Sequence, residues 1–187
     1  VYSYNKDIIL KSKSTLSIDF LLSEQKKDGS WAYMYLNSKS GYEKNQIDWH
    51  QGFIIDSIND YLQYTKSSEK KYSEKIIIAS KFYKDNQFLE TGQSLWRYPM
   101  VWPVDIHNQA QGIITFSRVS YFDKNYLNFA HKIAEWTISK MQDPSGFFYF
   151  QKWPLLTNKI SYMRWSQAWM SLALATIIDN LEVKGSY

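Results

Sequence analysis

One glutamine recurs at a fixed interval, and this recurrence constrains the fold more than any other feature of the chain. Trp49-His50-Gln51-Gly52, His107-Asn108-Gln109-Ala110 and Trp165-Ser166-Gln167-Ala168 superpose as an aromatic ring, any residue, Gln and a small residue, with the glutamines 58 residues apart. A period of this length marks a stacked array, in which no unit buries its apolar face alone. A second element recurs upstream, as Gln25-Lys26-Lys27-Asp28-Gly29-Ser30-Trp31 and Gln142-Asp143-Pro144-Ser145-Gly146-Phe147-Phe148, with a degenerate middle copy around Gln87 to Trp96.

Hydrophobic periodicity identifies the building block as helical. From Asp123 to Met141 the residues Tyr126, Phe129, Ala130, Ile133, Thr137 and Met141 step by three or four, one stripe of an amphipathic helix. Ala168 to Ile178 is interrupted only by Ser171 and Thr176, which predicts an inner helix buried on nearly all sides. The same reasoning predicts six helices, over 12–25, 46–65, 70–87, 105–119, 123–141 and 162–182. One repeat is then an outer helix, a Gly turn with an aromatic extended segment, and an inner helix. The expected fold class is all-α: three stacked helical hairpins forming an arc of an α/α toroid, with residues 1–187 as a single domain. A closed ring of six such hairpins needs about 350 residues. The chain begins at Val1, and the expectation is the C-terminal half of a larger toroid, completed by a missing N-terminal half or by a homodimer partner.

Composition removes several alternatives. With 44% hydrophobic and 21% charged residues the chain is expected to fold around a core, and with no Cys it has neither disulfides nor thiolate metal sites. The net charge of +4 is spread through stretches such as Ser67-Ser68-Glu69-Lys70-Lys71, a solvated surface rather than the basic stripe of a nucleic-acid binder. No stretch approaches the roughly 18 apolar residues of a membrane span. A cytoplasmic location is expected. The 8 Trp, 15 Tyr and 10 Phe exceed what a core of this size needs and suggest a ligand surface as well.

Two resemblances add to this reading. Phe20-Leu21, Gln25, Gly29 and Trp31 match the spacing of the QW motif of terpene cyclases and other α/α-toroid proteins, without the acidic catalytic segment of the cyclases, and so speak to fold. Trp102-Pro103-Val104-Asp105-Ile106-His107-Asn108-Gln109-Ala110-Gln111-Gly112 and Tyr162-Met163-Arg164-Trp165-Ser166-Gln167-Ala168-Trp169-Met170 resemble the C-terminal half of the VpsJ-like polysaccharide-biosynthesis proteins, relatives of the N-acylglucosamine 2-epimerase toroids. That resemblance implies a carbohydrate-active protein of bacterial surface-polysaccharide synthesis, with epimerase-like chemistry on a sugar.

The residues suited to such chemistry lie before and at the starts of the inner helices. His107 is the first candidate for acid or base, because proton transfer at a sugar carbon needs a group that titrates near neutrality, and Asp105 stands ready to hold its ring. Its bland alternative is a cap or a bond to a neighbouring hairpin. His50, after Asp48 and Trp49, holds the corresponding region of the first repeat. Arg164 begins the third inner helix, where a guanidinium and the positive end of the helix dipole together suit a uronate carboxylate or a sugar phosphate, if it is not paired to an acid on an outer helix. Trp31, Tyr33, Trp102 and Trp165 are candidate stacking surfaces for a sugar ring, or seals over the helix ends. Gln109 and Gln111 are candidate ligand contacts, although the threefold recurrence of Gln51, Gln109 and Gln167 argues for bonds between hairpins. A hydrolase using Asp48 or Asp105 and a non-catalytic glycan-binding scaffold are the rival readings. No metal-ligand spacing is present and no cofactor is expected. The expected partner is a sugar or oligosaccharide, acidic or phosphate-linked.

Overall fold

The computed structural model describes residues 7–36 and 42–182; residues 1–6, 37–41 and 183–187 of the expected single domain lie outside the described residues. Six helices account for most of the chain: α1 (Ile8–Ser23), α2 (His50–Thr65), α3 (Lys70–Gln87), α4 (Ile106–Arg118), α5 (Asn125–Met141) and α6 (Trp169–Glu182), the last entered through a π-helical turn over Met163–Ala168. Five short strands connect them. β1 (Met34–Leu36) pairs antiparallel with β2 (Tyr42–Lys44), and β3 (Val104–Asp105) pairs with β4 (Gln151–Lys152), which pairs with β5 (Thr157–Asn158).

Helices α2, α4 and α6 pack side by side in that order, while α3 packs on α2, and α5 on both α4 and α6. The core follows from this alternation. On α5 the expected stripe from Tyr126 to Met141 is buried in full, and on α3 Tyr72, Ile76, Ala79 and Tyr83 form its counterpart. Rings of Tyr83, Phe88, Phe116, Tyr126 and Phe129 cluster at centroid separations of 5.2 to 5.8 Å where α3, α4 and α5 meet.

The recurring Gly turn is a backbone structure, and its middle copy is intact. Gly29, Gly92 and Gly146 all have positive φ, near 90–100°, and their amides close the same turn onto Lys26, Leu89 and Asp143. The residue two beyond each glycine is then gripped by the side chain of an inner helix. Trp31 N–H donates to Gln51 Oε1 at 3.0 Å and Gln51 Nε2 donates to Trp31 O at 2.9 Å; Gln167 holds Phe148 through the same two bonds at 2.9 and 2.8 Å. In the middle copy Ser94 N–H donates to Gln109 Oε1 at 2.6 Å, while Gln109 Nε2 turns to Gly92 O and Thr137 Oγ1. The three glutamines therefore staple each extended segment to its inner helix. Sequence alignment of the middle copy fails because Phe88, rather than a Gln, stands where Gln25 and Gln142 bond Gly29 O and Gly146 O. Phe88 packs instead against Gly112, where an added Cβ would come within 2.4 Å of its ring.

One expectation is overturned. Ala168–Ile178 is not enclosed: Ser166, Met170, Ala173 and Ile177 face inward, whereas Leu172 and Ile178 are 44% and 52% exposed. The enclosed helix is α4, buried from Ile106 to Ser117. The reason is position, since α4 has neighbours on both flanks while α6 packs on α4 and α5 along one side.

Candidate functional site

The starts of α2, α4 and α6 converge at one end of the molecule. There the ring of Trp49 lies between two imidazoles, stacked on His50 at 3.6 Å and on His107 at 4.3 Å. Beside it opens a cleft of about 410 Å³ lined by Tyr33, Gln46, Asp48, Trp49, His50, Trp96, Arg97 and Trp165.

Local sequence explains this geometry. Asp48-Trp49-His50 and Asp105-Ile106-His107 are the same tripeptide pattern, and in each the Asp accepts the backbone N–H of the His two residues on, at 3.1 and 2.9 Å. A carboxylate in that position satisfies a free amide at the helix start. Asn108, the extra residue of the second repeat, ties the two starts together: its Oδ1 accepts Trp49 N–H at 3.1 Å and its Nδ2 donates to Leu95 O and Trp96 O.

The two carboxylates differ beyond that bond. Asp48 Oδ1 also meets His50 Nδ1 at 2.6 Å and its Oδ2 accepts Gln46 Nε2 at 2.5 Å, with Arg97 Nε 4.0 Å away. Burial pushes the Asp48 pKa up, but the bonds from His50 and Gln46 outweigh it and hold the carboxyl below its usual range. The His50 ring is thereby oriented, with no partner for Nε2 among the described residues and the side chain about one-third exposed at the cleft. Asp105 instead spends its second oxygen on Gln151 Nε2, at 2.7 Å across the β3–β4 pair, and burial raises its pKa. The expected support of the His107 ring by Asp105 is therefore absent. That carboxylate caps α4.

His107 is 4% exposed, walled by Trp49, Phe53, Trp165 and Trp169, and its Nε2 has no partner among the described residues. Burial, with a smaller push from His50, lowers its pKa to about 4, so it is neutral at pH 7. It does not line the mouth cleft, because the indole of Trp49 lies between it and His50.

The remaining candidates divide. Tyr33, edge-on to His50 at 4.7 Å, and Trp165 line the cleft. Arg164 is exposed, its guanidinium 4.8 Å from the Trp165 ring centre, with no ion pair among the described residues. Trp31 is a correction: it is 3% exposed and its Nε1 donates to Leu21 O at 2.7 Å, so it staples α1 rather than meeting a ligand. Gln109 is another, with both ends of its amide spent inside the fold. Gln111 is buried away from the mouth, donating to Asp56 Oδ2 and Thr115 Oγ1. Trp102 is partly exposed but lies outside the cleft lining. Sequence reasoning passed over Trp49 as the plate between the imidazoles and Arg97 as the cleft's cation. The repeated Asp-x-His pattern was the available signal for the first, and nothing in the sequence distinguishes Arg97.

Among the described residues no group of three or more His, Asp or Glu is placed to hold a metal ion, and no helix is long and apolar enough to cross a membrane.

The fold these elements build is similar to part of solved α/α toroids. A cellobiose 2-epimerase from Bacillus thermoamylovorans matches with a TM-score of 0.79 at 16% identity, over 97% of this chain and 49% of that one. An unsaturated glucuronyl hydrolase specific for heparin matches at 0.71 and 11% identity, over 94% and 52%, and a family 76 α-mannanase from Bacteroides thetaiotaomicron at 0.65 and 14%, over 91% and 54%. The chain thus spans about half the length of these solved structures. The sequence matches no family model and no curated protein.

Proposed function

We propose that this chain is half of a carbohydrate-active α/α toroid, three helical hairpins that three more complete, and that its mouth cleft moves a proton on a sugar. The observation that carries the reading is the Asp48–His50 pair in an open cleft rimmed by Tyr33, Trp96, Arg97 and Trp165. Aromatic faces hold the apolar side of a pyranose and the carboxylate fixes one tautomer of the imidazole. His50 Nε2 would take the C2 proton of an open-chain aldose, the electron pair passing to O1 as an enediolate; rotation of this intermediate about its C2–C3 bond presents the other face of C2 to the protonated His50, which returns the proton and gives the epimer. Arg97 and Arg164 would offset the charge on O1 and favour acidic or phosphate-linked sugars.

Two features of the structure support the half-ring. The chain covers about half of each solved toroid named above, and both of its edges carry exposed apolar side chains, Ile8, Ile9, Leu16 and Phe20 on α1 and Leu172 and Ile178 on α6. The N-terminal half of a longer polypeptide or a second copy would cover them. With the resemblance to VpsJ-like proteins as its support, the proposed setting of this activity is the cytoplasmic synthesis of surface polysaccharide. A hydrolase is less favoured, because both Asp48 and Asp105 are committed to helix starts and neighbouring side chains. A glycan-binding role without catalysis is the second reading, favoured by the withdrawal of His107 from the cleft.

Calorimetry against nucleotide sugars, uronic acids and cellobiose tests the site. Binding should fall on Trp165→Ala, Arg164→Ala should weaken acidic ligands most, and His50→Ala should abolish turnover while leaving much of the binding. No binding across the panel would reject the site. Binding without turnover, unaffected by His50→Ala, would leave the scaffold role.

A further inference from the structure

The hairpin of β4 and β5 stands at the mouth end, because β4 pairs with β3 directly before α4. Its tip is apolar and open to solvent. Leu155 is 100% exposed and Leu156 68%, and Trp153 N–H donates to Leu156 O at 2.7 Å, closing the turn that presents both leucines. Pro154 fixes the backbone between the indole and the leucines. Exposed apolar side chains grouped in this way mark an interaction surface.

Two observations identify what the tip meets. The first is charge. No Asp or Glu occurs between Asp143 and Asp179, whereas Lys152, Lys159 and Arg164 do. Lys152 Nζ donates to Thr157 Oγ1 at 3.4 Å across the hairpin, Lys159 Nζ stands 5.1 Å from the Tyr149 ring centre, and Arg164 lies over the Trp165 ring. None of the three has an ion pair among the described residues. Asp143 is the acid whose charge reaches Lys159, and its oxygens accept from Ser145 and Tyr149; Asp105 is buried and bonded to Gln151. The second observation is size. A stable protein interface takes about 20–30 residues a side, far more than this tip offers. A few inserted side chains beside cations are instead what a peripheral protein uses on an anionic bilayer, where apolar burial and charge act together and an indole settles at the headgroups.

We propose that the β4–β5 hairpin docks the protein on an anionic membrane surface, Leu155 and Leu156 entering the acyl boundary while Lys152, Lys159 and Arg164 meet lipid phosphates. Docking brings the mouth to the headgroup layer, and it does not depend on the chemistry of the cleft.

The test is co-sedimentation of the full chain with vesicles of phosphatidylcholine alone and of phosphatidylcholine mixed with phosphatidylglycerol, at low salt. The chain should sediment with the mixed vesicles, stay in solution with phosphatidylcholine alone, and be released by added salt. Leu155→Ser with Leu156→Ser changes exposed side chains only, and circular dichroism checks that the variant is folded. Its affinity for the mixed vesicles should fall by about tenfold or more, since burying one leucine is worth at least that. Lys159→Gln should lower it about fivefold. No sedimentation with the mixed vesicles, or sedimentation that the double variant leaves unchanged, overturns the proposal. So does equal binding to both kinds of vesicle, which leaves the cations without a role. If the wild type ignores vesicles and the double variant changes the mass seen in light scattering, the tip covers a second copy and membrane docking is wrong.

Discussion

The buried imidazole of His107 should make the fold acid-sensitive in a measurable way. Its pKa falls from 6.5 in the unfolded chain to about 4 in the fold, because burial among Trp49, Phe53 and Trp169 disfavours the cation. A depressed folded pKa means that the unfolded chain takes the proton first. The stabilisation is therefore complete above the unfolded pKa and is lost as pH falls from about 6.5 towards 4. At about 1.4 kcal/mol per pH unit the full loss is about 3 kcal/mol, and between about pH 7.5 and pH 4.5 it is about 2.5 kcal/mol. Carboxylates such as Asp48 contribute their own losses at lower pH, so the measurement must be differential. His107→Phe keeps a ring in the stack without a titrating nitrogen. Urea unfolding of both proteins at the two pH values should give a wild-type loss larger by about 2.5 kcal/mol than that of the variant. Equal losses would refute the assignment of a neutral, buried His107.

Other consequences follow from the same geometry. Gln109→Ala leaves Ser94 N–H without its partner and removes one of the two bonds of Thr137 Oγ1, and should cost about 2–4 kcal/mol by thermal or urea unfolding. Gly146→Ala should cost about 1–2 kcal/mol from its positive φ alone, since nothing lies near the added Cβ, whereas Gly92→Ala should cost clearly more, because its Cβ would meet Lys132 O at 2.6 Å. Burial raises Asp56 to about 7, despite Arg118 and Gln111, so the fold holds its proton where the unfolded chain has released it and loses stability as pH rises from about 4 to 7. Asp56→Asn should remove that loss and gain up to about 4 kcal/mol on the wild type near pH 8, measured by urea unfolding.

The helices were legible because their cores are periodic: the Tyr126 to Met141 stripe is buried as its spacing requires. Burial of whole helices was not. Apolar content ranked Ala168–Ile178 as the enclosed helix, yet α4, with His107, Asn108, Gln109, Gln111 and Thr115, is the one sealed from solvent. Asn108 and Gln109 spend their amides on neighbouring backbone and on Thr137, and hydropathy carries no record of that pairing. The recurrence of Gln51, Gln109 and Gln167 did point to their structural role. In the site, sequence reasoning ranked His107 above His50, although both are histidines that follow an Asp by two residues. Only three-dimensional packing reveals that Asp48 reaches the ring of its His while Asp105 is drawn to Gln151, a contact across 46 residues. Arg97 enters the cleft from a loop that no periodicity describes.

The proposed activity is proton transfer on a sugar by His50, held by Asp48, at the mouth of the inner helices. Proton exchange followed by NMR in deuterated water tests it most directly. With a reducing sugar that the protein binds, deuterium should enter at C2 and the epimer accumulate with the wild type, and neither should occur with His50→Ala, which still binds the sugar. Exchange that persists in His50→Ala, or its absence in a wild type that binds the sugar, would contradict the account.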